Sequence, residues 1–112
     1  MAEATFRDVA ETLERVVEEI CGQFGPTKVI LFGSYASGQP GPDSDVDLLV
    51  VTLAPPNWRE AHRFGMELES RFGLRLHLQF MRGEEFEETR DVVGGLAFPA
   101  LRTGITLYEQ KP

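Results

Sequence analysis

Asp45 and Asp47 stand two residues apart at the start of an apolar run, Val46 to Leu53. In an extended chain the period of two puts both carboxylates on one face, about 7 Å apart along the strand. Such a pair suits a hard divalent cation. Mg²⁺ prefers oxygen ligands, commonly takes one or two carboxylates plus substrate phosphates, and offsets the repulsion between two negative groups. Upstream, Gly33, Ser34 and Gly38 follow a second apolar run, Lys28 to Phe32. A strand that ends in Gly-Ser and opens a helical turn offers backbone N–H groups and a hydroxyl to an anion. Each half also has a plainer reading. Asp43, Ser44 and Asp45 are ordinary turn residues at a solvated strand entry, while Gly33 and Gly38 can simply supply turn dihedrals and Ser34 a helix cap. Together the two halves describe a nucleoside triphosphate and Mg²⁺ at one site, provided the two strands are neighbours.

The elements that must position these residues are legible from periodicity. Phe6, Val9, Leu13, Val16, Val17, Ile20 and Phe24 recur at spacings of three and four, which predicts an amphipathic helix over 6–24 with an acidic outer face. Thr5 with Asp8 fits its capped start, and Gly25 with Pro26 ends it. Lys28 to Phe32 is a strand, Ser34 to Ser37 a first helical turn, and Val46 to Leu53 a largely buried second strand. Asn57 with Glu60 caps a second helix that carries Trp58, Ala61, Phe64, Gly65, Leu68 and Phe72 on one side and stops at Gly73. Leu74 to Met81 alternates apolar Leu74, Leu76, Leu78 and Phe80 with polar Arg75, His77 and Gln79, so it reads as a third strand with one polar face. Gly83 to Asp91 is a short helix or turn, Val92 to Ala100 is ambiguous, and Ile105 to Tyr108 is a small last strand. This order predicts a small mixed α/β sheet with helices against one face.

With 112 residues the chain is expected to be one domain, an N-terminal helix over 1–26 followed by a catalytic-type core over 27–112. Its core is modest for that length, which makes a homo-oligomer or another partner an open option. The formal charge of -7 argues against bulk nucleic-acid binding and against an anionic membrane surface. No apolar run reaches the roughly 18 to 20 residues of a membrane span, and the N-terminus lacks the apolar core of a secretory signal, so the expected location is the cytoplasm. The single Cys21 excludes an intramolecular disulfide and falls on the apolar face of the first helix.

Leu31-Phe32-Gly33-Ser34-Tyr35-Ala36-Ser37-Gly38, followed by Ser44-Asp45-Val46-Asp47-Leu48-Leu49-Val50, resembles the signature of the DNA polymerase beta-like nucleotidyltransferase superfamily. The short length, the leading helix and the tail Gly104-Ile105-Thr106-Leu107-Tyr108-Glu109 are similar to its minimal nucleotidyltransferase (MNT) branch. The resemblance implies a nucleotidyltransferase-like fold in which Gly33 and Ser34 hold the triphosphate, with Gly38 and Ser44 counted among the nucleotide-binding residues. It implies that Asp45 and Asp47 bind Mg²⁺ or Mn²⁺. The activity implied is transfer of a nucleoside monophosphate, with AMP from ATP the expected case, to a hydroxyl of a protein or small-molecule acceptor. Many MNT proteins work beside a small helical HEPN protein, often as the antitoxin of a pair whose HEPN member is a ribonuclease, so a HEPN-family partner is also implied.

Two departures from the family pattern stand out. Members often carry basic residues inside the Gly-Ser motif, where this chain has Tyr35 and Ser37. The family's third metal-binding carboxylate lies on a later strand, and alignment puts His77 in its place. A histidine there is a poor Mg²⁺ ligand that accepts Mn²⁺ or Zn²⁺ more readily; it can serve as a base, or be only a polar residue on a half-exposed strand face. Glu84 and Glu85 lie beyond that strand and replace the acid only if the chain folds back. His62, between Arg59 and Arg63, reads as a solvated helix face, and Arg59, Arg63 and Arg71 as charge pairs with Glu60, Glu67 and Glu69. The missing acid leaves a second function open, a non-catalytic nucleotide- or metal-binding module that masks a HEPN ribonuclease.

Overall fold

The computed structural model describes residues 6–37, 45–89 and 104–110. Along the chain run α1 (Phe6–Phe24), β1 (Lys28–Phe32), α2 (Ser34–Ser37), β2 (Val46–Thr52), α3 (Trp58–Phe72), β3 (Leu76–Arg82), α4 (Gly83–Thr89) and β4 (Ile105–Glu109). The expected elements among these residues are present. Thr5, Gly38, Ser44 and the ambiguous stretch from Val92 to Ala100 lie outside the described residues.

The four strands form one sheet in the order β3-β2-β1-β4. β1 pairs antiparallel with β2 and with β4, whereas β2 and β3 are parallel, so the sheet is mixed as the element order predicts. β2 is interior, and six of its seven residues are buried, which explains a run apolar on both faces. The parallel β2–β3 pair needs a crossover, and α3 supplies it. Asn57 caps α3 by accepting the Glu60 N–H at 2.9 Å, and Gly73, at φ 70°, ends it by donating its N–H to the Glu69 carbonyl.

One face of the sheet is covered by the two long helices. Leu13, Val16, Val17 and Ile20 of α1 and Leu68 of α3 share a core with Val29, Leu31, Val46, Leu48 and Val50. Phe24 closes the end of this layer, edge-on to Phe64 at 4.9 Å and to Phe80 at 5.0 Å. Cys21 packs against the same core, and burial pushes its thiol pKa up. The other face carries a second, smaller apolar cluster. Ile30, Leu49, Val51 and Met81 gather under Phe86 of the short α4, whose ring is 1% exposed. An acidic segment with one aromatic has no helical stripe to announce such packing.

Some boundaries and charge pairs also differ from expectation. β3 begins at Leu76 rather than Leu74, because the Leu76 N–H donates to the Glu69 carboxylate at 2.8 Å and the ladder starts there. β2 stops at Thr52, its last partner being Arg82, and leaves Leu53 83% exposed. Arg71 holds Glu19 of α1 at 2.9 Å and reaches Glu67 on its own helix only at 3.8 Å. Glu69 is therefore a backbone acceptor, not an arginine partner, and Arg59 lies 5.5 Å over the Trp58 ring. Among the described residues no helix is long and apolar enough to cross a membrane.

Candidate functional site

Sheet topology brings the chemistry-bearing residues to one end of the sheet. β1 runs into the Gly33–Ser34 turn there, and β2 and β3, parallel to each other and antiparallel to β1, both start there. The condition set by the sequence is thus met: the strand that ends in Gly-Ser and the strand that begins with the two carboxylates are hydrogen-bonded neighbours, with Phe32 opposite Asp47. On the far side of β2, Asp47 is in register with His77. Paired residues in adjacent strands point to the same face, so Asp45, Asp47, Arg75 and His77 lie together on the face that α1 and α3 leave uncovered.

Gly33 is held there by two requirements. Its φ is 76°, a conformation that L side chains rarely adopt. It also touches Asp47: a Cβ built on Gly33 would lie 3.1 Å from the Asp47 Cγ and closer still to Oδ2. The turn dihedral alone would explain a glycine; the carboxylate against its backbone adds a second, steric reason. Asp47 is 22% exposed, and its Oδ1 lies 3.1 Å from the His77 Nδ1. With Nδ1–H donating to this carboxylate, the imidazole presents Nε2 as its acceptor. The His77 side chain is 55% exposed and can meet a ligand.

Asp45, at the entry of β2, pairs with Arg75, whose Nε is 3.3 Å from Oδ1. The backbones are tied at the same point, the Val46 N–H donating to the Arg75 carbonyl at 2.7 Å. This ion pair is absent from the sequence-based site, although the alternation that put His77 on the polar face of β3 puts Arg75 there too. Tyr35, in the position where a basic residue was expected, is turned into the core and buried. It therefore offers no charge to a phosphate. Ser34 follows Gly33 directly and opens α2. Glu84 and Glu85 sit in the first turn of α4, at the other end of β3 from His77, and so do not take the place of a third acid. His62 is exposed on α3, as the sequence predicts, and with Trp58, Met66 and His77 borders a groove of about 430 Å³ along the edge of β3.

The donor set fits a hard cation that completes its shell from a ligand. Among the described residues no three His, Cys, Asp or Glu side chains gather closely enough to hold a metal by themselves. Two carboxylates on one strand, beside a Gly-Ser turn, match the way Mg²⁺ is held by one or two carboxylates together with phosphate oxygens. A closed structural site of the zinc type, with four protein ligands, does not match.

Comparison with known proteins agrees with this arrangement. The nucleotidyltransferase domain family matches residues 13–97. A protein adenylyltransferase, MntA, of Thermococcus cleftensis is 33% identical over 78 residues, covering 70% of this chain and 79% of that protein. A solved structure described as a minimal nucleotidyltransferase superposes with a TM-score of 0.61 at 26% identity, over 88% of this chain and 92% of that one. The MNT antitoxin complexed with a tri-AMPylated HEPN toxin of Shewanella oneidensis shares the fold, with a TM-score of 0.57 at 17% identity, over 89% of this chain and 72% of the matched chain. By its motifs, its sheet and these matches, the chain belongs to the nucleotidyltransferase domain family.

Proposed function

We propose that this protein is a divalent-metal-dependent nucleotidyltransferase that moves AMP from ATP to a hydroxyl of a protein acceptor, and that its acceptor is a HEPN-family partner. The observation that carries the reading is the Asp47 carboxylate, packed against the backbone of Gly33 on one side and hydrogen-bonded to His77 on the other. A phosphate-facing turn, a metal-ligand carboxylate and a proton acceptor thus lie side by side. The relative from Thermococcus cleftensis, a protein adenylyltransferase, and the antitoxin bound to an AMPylated HEPN toxin support the acceptor class. ATP and Mg²⁺ both belong to the cytoplasm, the compartment expected from the sequence.

In this reading Asp45 and Asp47 would hold the cation, Mg²⁺ or Mn²⁺, and Gly33 and Ser34 the terminal phosphates, with Gly38 and Ser44 as further nucleotide-binding residues. The cation, when bound, neutralises phosphate charge and orients the leaving group. The acceptor oxygen bonds to the α-phosphorus, the bond from that phosphorus to the bridging oxygen breaks, and its electron pair leaves with pyrophosphate. The hydroxyl proton passes to His77 Nε2, while Asp47 at Nδ1 steadies the imidazolium that forms.

The replacement of a third acid by His77 favours one other reading, a nucleotide-binding module that covers its partner without turnover. Incubation with ATP labelled in the α-phosphate, Mg²⁺ or Mn²⁺ and the HEPN partner separates the two. Metal-dependent label on the partner is expected. Stable complex formation without label would select the non-catalytic module.

A further inference from the structure

We propose that Arg75 is the cation that meets the phosphate group being transferred, on the opposite side of the carboxylates from the Gly33–Ser34 turn. The proposal rests on the nucleotidyltransferase reading and gives a role to a residue that reading leaves out.

Charge is the first argument. From Val29 to Trp58, a stretch that includes the whole Gly-Ser turn and β2, the sequence holds no Lys or Arg. A nucleoside triphosphate brings about four negative charges to a site that already contains two carboxylates, and one divalent cation does not balance them. Of the described basic residues on the sheet, Lys28 pairs with Glu109 and lies, like Arg82, at the far end of the strands, opposite Val51 and Thr52. Arg75 is at the site, 3.3 Å from Asp45.

Placement is the second. The Arg75 carbonyl accepts the Val46 N–H at 2.7 Å, and the next N–H, that of Leu76, is fixed by Glu69 at 2.8 Å. The peptide unit that follows Arg75 is therefore held at both its C=O and its N–H, while the side chain stays 67% exposed. A guanidinium is a planar fork of five donors that can serve several acceptors at once, so a phosphate can be added to the carboxylate it already meets.

Geometry is the third. Neighbouring strands lie about 4.8 Å apart, so Gly33, Asp47 and the entry of β3 are spread over roughly 10 Å across the sheet. If the terminal phosphates sit at the turn after β1, the chain of phosphates crosses the carboxylates of β2, and the phosphate joined to the nucleoside reaches β3. Arg75 and His77 flank that point, one as a counter-charge for the oxygens of the phosphate being attacked and one as acceptor of the proton from the incoming hydroxyl.

Calorimetry on the full chain with saturating Mn²⁺ tests this with three ligands, ATP, AMP and pyrophosphate. Arg75→Gln is expected to weaken ATP and AMP by a similar factor, about tenfold for a lost charge-assisted hydrogen bond, and to leave pyrophosphate unchanged. Arg75→Lys should recover part of that loss, which also shows that the Gln variant fails by chemistry and not by misfolding. Ser34→Ala should give the opposite pattern, weakening ATP and pyrophosphate but not AMP. An Arg75→Gln protein that loses pyrophosphate in place of AMP, that loses nothing, or that loses only affinity for Mn²⁺ alone overturns the proposal. Wild-type protein that binds none of the three overturns the nucleotidyltransferase reading with it.

Discussion

Asp47 has three neighbours, and each constrains it differently. Gly33 leaves room for its carboxylate, His77 fixes one of its oxygens, and β1 holds its backbone opposite Phe32. Gly33→Ala should therefore do two kinds of damage. A positive φ costs a non-glycine residue about 1 to 2 kcal/mol, and the new methyl pushes the carboxylate out of place. Denaturant melts should show the first and metal titration the second; a Gly33→Ala protein with wild-type affinity for Mn²⁺ and ATP would mean that the close approach has no role. His77 can be tested separately. His77→Ala should lower transfer roughly 100-fold or more, as expected for loss of a general base, with the protein still folded and still binding ATP. His77→Asp should tighten Mg²⁺ binding by adding an oxygen ligand. Unchanged single-turnover rates in His77→Ala would remove it from the chemistry.

At the scale of elements, the site is held by strand ends, and strand ends are held by what packs beneath and above them. α4 is a short support, yet its Phe86 packs in one buried cluster with Ile30, Leu49, Val51 and Met81. Phe86→Ala should cost about 3 to 5 kcal/mol in urea or thermal unfolding, a large fraction of the stability of a small domain. A loss under about 1 kcal/mol would show that α4 does not close the second core. Asn57→Ala should cost about 1 kcal/mol, since it removes the acceptor for the Glu60 N–H at the start of α3. The two long helices and the strands were legible because each carries several apolar residues in a regular period. α4 was not, because one phenylalanine has no period. The start of β3 was missed for a different reason: Glu69, which fixes the Leu76 N–H, lies seven residues back across the cap at Gly73. The period of two placed Arg75 and His77 on one face of β3. Only the parallel register of β2 and β3, a non-local fact, told which face it was and that Asp45 and Asp47 share it.

For the whole molecule, a net charge of -7 and a site containing two carboxylates make binding of a polyanionic ligand depend on the cation and on a few placed donors. Exposed Trp58 and Met66 on α3 border a groove whose lining includes His77, so apolar surface adjoins the proposed acceptor site. The proposed activity requires that the carboxylates beside the Gly-Ser turn hold a metal–triphosphate complex. It is tested most directly by titrating ATP into wild type, Asp45→Asn and Asp47→Asn by calorimetry, with and without Mg²⁺ or Mn²⁺, alongside thermal melts of each protein. Metal-dependent binding is expected in wild type, with a loss of at least about tenfold in each variant, for a removed charged ligand, and melting temperatures little changed. Unchanged metal and ATP affinity in both folded variants would contradict it.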